Sequence, residues 1–109
     1  MAIKRKTLRH YESRAEIAKA LAHPTRLLLL DALQKSETCV CDLTDLVGAD
    51  QSTVSKHLAI LKNVGLIACR KEGPMSFYRV TCRCLDGFFT CIETVLKANL
   101  DAQRAAAGV

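Results

Sequence analysis

A mainly α-helical domain carrying one small β-hairpin is what the sequence predicts, on three observations. Apolar residues recur at helical spacing through most of the chain. A Gly-Pro pair sits between two short β-tolerant runs, LIACR and SFYRV, and an apolar stripe of about four helical turns follows them. With 109 residues, half of them apolar and a quarter charged, the chain suffices for one domain around a single core and not for two. Such a composition excludes a predominantly disordered chain.

Each element can be justified in order. Residues 1–13 read as a basic arm, with Lys4, Arg5, Lys6 and Arg9 crowded ahead of Arg14. Ala15, Ile17, Ala18 and Leu21 then predict a helix over 14–22. Pro24 opens a second helix, PTRLLLLDALQK, because proline is tolerated in the first turn, where its missing N–H costs nothing. Its four consecutive leucines, Leu27 to Leu30, must be covered on most sides, which marks the centre of the core. SETCV is short and β-tolerant. CDLTDLVG follows as a helix of two turns, with Leu43, Leu46 and Val47 on one face and Gly48 ending it. Asp50 is a candidate N-cap whose carboxylate can accept a free backbone N–H. Beyond it, Val54, Leu58 and Leu61 form the inner arc of a helix that Gly65 stops. Residues 66–81 read as a hairpin turning at KEGPM. From Leu85, the residues Phe88, Phe89, Ile92, Val95, Leu96 and Leu100 keep a helical stripe within 83–105, and 106–109 form a tail. The core is already supplied by other helices, so this stripe is expected to face a second copy in a twofold homodimer. The order is that of a winged helix-turn-helix, with 14–82 as the DNA-binding domain.

Sixteen Lys and Arg against eleven Asp and Glu give a net charge of +5. That excess suits a polyanion but also serves solubility, so charge alone decides nothing. The pattern decides more. A tight turn at Gly48 between a short and a longer helix presents the second one to the major groove of duplex operator DNA. Its outer arc carries Ser52, Lys56, Ala59 and Asn63, flanked by Thr53 and Ser55. Gln51 can pair with adenine. Ser52, Thr53 and Ser55 can reach phosphate or base edges, Lys56 and His57 can reach phosphate or guanine, and Arg70 and Lys71 lie at the basic flank of the hairpin. No apolar segment follows the N-terminal charges, and the densest apolar run is bounded by Arg26 and Asp31. Neither a signal peptide nor a membrane span is expected. The expected location is cytoplasmic, where six cysteines should be reduced thiols.

Taken in order, LAHPTRLLLLDALQ, CVCDLTDLVGADQSTVSKHLAILKNVGLI and KEGPMSFYRV resemble the ArsR/SmtB family of metal-sensing repressors across residues 14–100. CVCDL followed by QSTVSKHL is the specific part of that resemblance. It implies a homodimeric winged-helix repressor, not an enzyme, that leaves its operator when a thiophilic ion binds.

Sulfurs sharing one ion through bonds of ~2.3 Å lie within about 4 Å of each other. Two cysteines in a C-x-C pair point about 200° apart in a helix but to one side of an extended chain. Cys39 and Cys41 stand where strand becomes helix, so joint ligation would hold or distort that junction. A second C-x-C, Cys82 and Cys84, ends the hairpin, and Cys91 follows on the terminal helix. Cys84 and Cys91 would lie about 10.5 Å apart along one helix, too far for one ion unless Cys84 lies outside it. Pairing of the SETCV strand with the last hairpin strand would bring the two C-x-C pairs together. Arsenic-responsive members resembling this chain carry a third cysteine where Thr44 stands, so the third ligand is expected from Cys82, Cys84 or Cys91. The resemblance implies trivalent arsenic or antimony for three thiolates. Four thiolates would suit zinc or cadmium, with lead as another soft candidate. The sequence leaves these open and implies no permanent cofactor. A cysteine redox or persulfide switch is the alternative within the same architecture. Cys69, alone in a strand, reads as a core residue. His10, His23 and His57 are scattered and receive no metal role.

Overall fold

In the computed structural model, which describes residues 7–108, eight elements follow one another. They are α1 (Leu8–Leu21), α2 (Pro24–Lys35), β1 (Thr38–Cys39), α3 (Val40–Val47), α4 (Gln51–Asn63), β2 (Ile67–Glu72), β3 (Met75–Val80) and α5 (Leu85–Ala106). α1 starts at Leu8, not at position 14, because Thr7 caps it: the His10 N–H donates to Thr7 Oγ1 at 3.3 Å. The second half of the expected arm is therefore helical, and positions 1–6 lie outside the described residues. The sheet has three strands in the order β1-β3-β2, with both pairings antiparallel, so the SETCV strand joins the last hairpin strand as its topology predicts. Gly73 takes a positive φ of 61° in the two-residue turn between β2 and β3. That value is cheap for glycine and strained for other residues.

α2 is central, as its leucines require, but only in part. Leu29, Leu30 and Leu33 are buried with Leu43 of α3, Val54, Leu58 and Leu61 of α4 and Ile67 of β2. Burying each such side chain is worth about 1.5–3 kcal/mol. Leu28 is instead exposed, as is Leu46, which was expected to share the inner face of α3 with Leu43. Gly48 closes α3 in the left-handed region, at φ 76°, and its N–H donates to the Thr44 carbonyl at 2.9 Å.

α4 is held by a polar joint as well as by its leucines. Arg26 Nε donates to the Ala20 carbonyl at 2.7 Å and Nη2 to the Lys19 carbonyl at 3.2 Å, satisfying the end of α1. Its Nη1 stands 3.2 Å from His57 Nδ1, and the His57 ring lies 4.4 Å from that of His23. His23 in turn caps α2, its Nδ1 accepting from the Thr25 N–H at 3.0 Å. The expectation that His57 meets DNA is thus corrected: it is half-buried and turned to the α1–α2 corner. Arg26 can only donate, so Nδ1 accepts and His57 is neutral. Burial, followed by repulsion from His23 and Arg26, holds its pKa below the ordinary 6.5.

Because folding favours the neutral ring, this contribution to stability is complete above pH 6.5 and is lost as the pH falls through the lowered native value. Thermal unfolding across that range should show the Tm of the native chain falling more steeply toward acid than that of H57Q. Parallel profiles would contradict the joint.

Candidate DNA interface and cysteine sites

Gln51, Ser52, Thr53 and Lys56 are exposed on α4, whereas Ser55 is half-buried. Asp50 occupies the N-cap, but its carboxylate takes side chains rather than a backbone N–H. Ser52 Oγ donates to Oδ2 at 2.5 Å, and Thr53 Oγ1 donates to Oδ1. These two hydroxyls hold the Asp50 carboxyl below its ordinary pKa. With their protons committed, Ser52 and Thr53 offer lone pairs to an incoming group. They can donate to a phosphate only by releasing Asp50. The sequence reading missed this clamp, although D-x-S-T at a helix start could have signalled it.

The wing departs from expectation at Arg70. Its guanidinium meets Glu37 Oε1 at 2.8 Å and Glu72 Oε2 at 2.6 Å, and stacks 4.6 Å from the ring of Phe77, its cross-strand partner. Glu37 is held below its ordinary carboxylate pKa by this hydrogen bond, and Arg70 is raised above its own. Arg70 is therefore a neutralised brace between the wing and the approach to β1, not a free cation. Lys71, the next residue on β2, is exposed on the other face of the ribbon and pairs with no carboxylate among the described residues.

The cysteines are separated by the strand register. β1 does pair with β3, as the sequence reading requires, with Thr38 opposite Tyr78 and Cys39 opposite Phe77. Cys82 lies beyond Phe77 by five residues, about 17 Å of extended chain, and in an antiparallel pair Cys41 runs the opposite way. The two C-x-C pairs therefore do not meet within one subunit. Cys39 is 7% exposed and is the N-cap of α3, while Cys41 is exposed in its first turn. One faces the core and the other solvent. The expectation of free thiols at Cys82 and Cys84 is corrected: the two are bonded to each other, with Cα atoms 5.4 Å apart. Cys91 is exposed on α5, and Cys69 is half-buried, not fully in the core. At the position of the missing third cysteine, Thr44 Oγ1 donates to the Val40 carbonyl at 2.7 Å and stays within its own helix. Among the described residues no three Cys, His, Asp or Glu side chains converge as a metal site.

A further surface needs explaining. Leu27 and Leu28 of α2, with Phe88, Phe89, Ile92 and Leu96 of α5, line an open apolar cavity of about 570 Å³ that also touches α1. Beyond it Val95 and Leu100 are 55% and 53% exposed. No helix of the described residues is long and apolar enough to cross a membrane.

Comparison with known proteins accounts for this architecture. Residues 23–68 match the family described as "Bacterial regulatory protein, arsR family". The chain is 45% identical over 71 residues to an uncharacterised HTH-type transcriptional regulator of Methanocaldococcus jannaschii, across 64% of this chain and 80% of that one. It is 41% identical over 76 residues to the arsenical resistance operon repressor of Bacillus subtilis, across 69% and 70%. A cadmium resistance regulatory protein homolog of Staphylococcus aureus is 38% identical over 59% of this chain, but the match spans about half of its own length, 54%. Among solved structures, the homodimeric winged helix-turn-helix DNA-binding domain Mb0332 of Mycobacterium bovis superposes with a TM-score of 0.75 at 28% identity, covering 92% of this chain and 95% of that one. With its helix-turn-helix, wing and flanking helices those of transcriptional regulators, the chain belongs to the ArsR family.

Proposed function

We propose that this chain is a homodimeric repressor that binds operator DNA through α4 and is released by a thiophilic effector, trivalent arsenic or antimony in preference to cadmium, zinc or lead. The observation that carries this reading is that Cys39 caps the helix that carries α4. Cys39 and Cys41 face opposite sides of that cap, so an ion taking both sulfurs must draw Cys39 out of the core and re-aim α3 and α4 together. The geometry described above is then the DNA-competent one. The register sets Cys82 and Cys84 of the same subunit apart from this cap, which favours Cys91 as the third donor. Resemblance to an arsenical resistance repressor supports the metalloid. Twofold pairing through α1 and α5 would cover the apolar cavity and the exposed stripe together, and it agrees with the homodimeric Mb0332 domain.

In fluorescence anisotropy with the promoter upstream of its own gene, arsenite should weaken binding about 5- to 150-fold, the usual range for linked sites. C39S and C41S should bind DNA and ignore arsenite. Full release of the double variant would move the site elsewhere, and the absence of any sequence-specific binding would remove the repressor reading.

Salt dependence tests the DNA face. K56A and K71A should each lower the slope of log K against log salt by about 1, whereas R70A should leave it nearly unchanged, its charge being already balanced. An equal loss in R70A would place that guanidinium on phosphate.

Sedimentation equilibrium tests the second copy. L96E and V95E should give monomers that keep the native circular dichroism, and a dimer that survives both substitutions would place the interface off α5.

A further inference from the structure

We infer that Cys82 and Cys84 form a reversible dithiol–disulfide site that exchanges with carboxylate-bearing low-molecular-weight disulfides and sets the stiffness of the joint between the wing and α5. The site lies outside the cap at Cys39, and its regulatory part rests on the operator-binding reading above. The two residues occupy the short link between β3, the central strand of the wing sheet, and α5, whose N-cap is Cys84. Their Cα separation of 5.4 Å accommodates a bond without backbone movement. Cys84 is exposed, so one sulfur is open to an incoming thiol or disulfide.

Beside the pair is a second cavity, of about 270 Å³, lined by Gln34, Val80, Arg83 and Asp86. Its lining is about half polar, whereas that of the groove along α5 is mostly apolar. Gln34 Nε2 is buried there with no hydrogen-bond partner, the one such side-chain atom among the described residues. Arg83, the residue between the two cysteines, makes no ion pair among them either. A buried amide donor and an unpaired guanidinium are what a carboxylate takes, and Asp86 is a counterpart for an ammonium group. A small peptide disulfide carries all of these groups.

The exchange balances without another reagent. The Cys84 thiolate attacks one sulfur of the small disulfide, forming a mixed disulfide and expelling the first small thiolate. The Cys82 thiolate then attacks the Cys84 sulfur, closing the internal bond and expelling the second. The two cysteines are oxidised, the small disulfide takes both electrons, and the protons lost by the cysteines end on the two small thiols. Closing the bond removes freedom from the link, so less freedom is lost when both wings of a dimer settle on DNA at a fixed spacing. The oxidised form should bind the operator more tightly.

The test equilibrates the full chain in glutathione buffers from fully reduced to fully oxidised, with alkylation and mass spectrometry of each cysteine and anisotropy on the same promoter DNA. Cys82 and Cys84 should lose alkylation together as a two-electron pair while Cys41 and Cys91 remain alkylated. Promoter affinity should rise about fivefold or more over the same range, and C82S with C84S should hold the weaker affinity at every ratio. R83Q should slow oxidation by glutathione disulfide several-fold but leave oxidation by uncharged hydroxyethyl disulfide unchanged. Continued alkylation of both cysteines in fully oxidised buffer would overturn the site. An affinity that is constant, or lower in the oxidised form, would overturn its regulatory part, and equal slowing with both disulfides would overturn the role of the cavity. Loss of promoter binding at every ratio would count against the operator reading, since the alkylation pattern is measured independently of DNA.

Discussion

Two residue pairs, Thr38 with Tyr78 and Cys39 with Phe77, fix how the helix-turn-helix is held against the wing. β1 is only two residues long, yet it ends in the N-cap of α3, so its register on β3 sets where that helix begins and how it is aimed. A shift of one residue would turn the Cys39 side chain from the core to solvent. The brace of Arg70 with Glu37, Glu72 and Phe77 secures the same edge, because Glu37 immediately precedes β1. The wing is thus tied to the helices at the point where an effector would act.

That constraint also sorts the cysteines by chemistry. An antiparallel pairing sends the residues after Cys39 and those after Phe77 in opposite directions, so the two C-x-C motifs serve separate ends of the sheet. At one end a buried sulfur and an exposed one straddle a helix cap, so ligation of both, as proposed, would be coupled to helix orientation. At the other, a bonded pair spans the link to α5. On the readings proposed above, the two ends would respond to different chemical signals through the same sheet.

Much of this was legible in the sequence, and the limits are physical. Periodicity and turn residues located every helix and both hairpin strands, since these are local properties. The start of α1 escaped because a single hydroxyl at Thr7 sets it, outside the apolar pattern. On the outer arc of α4, Gln51, Ser52, Thr53 and Lys56 are exposed, as the periodicity predicts. The reading went astray at His57 and Arg70, whose partners Arg26 and Glu37 are 31 and 33 positions distant in sequence. A cation or an imidazole looks free in a sequence until the fold supplies its partner. The C-x-C pairs failed in the same way: strand pairing was foreseeable from topology, but its register was not.

The central claim is that the cap of α3 is the sensing site, and arsenic-edge X-ray absorption on the arsenite-loaded chain tests it most directly. The account predicts arsenic bound by sulfur in the native chain and in C82S/C84S, with that scattering replaced by oxygen in C39S/C41S. Undiminished sulfur coordination in C39S/C41S would contradict it.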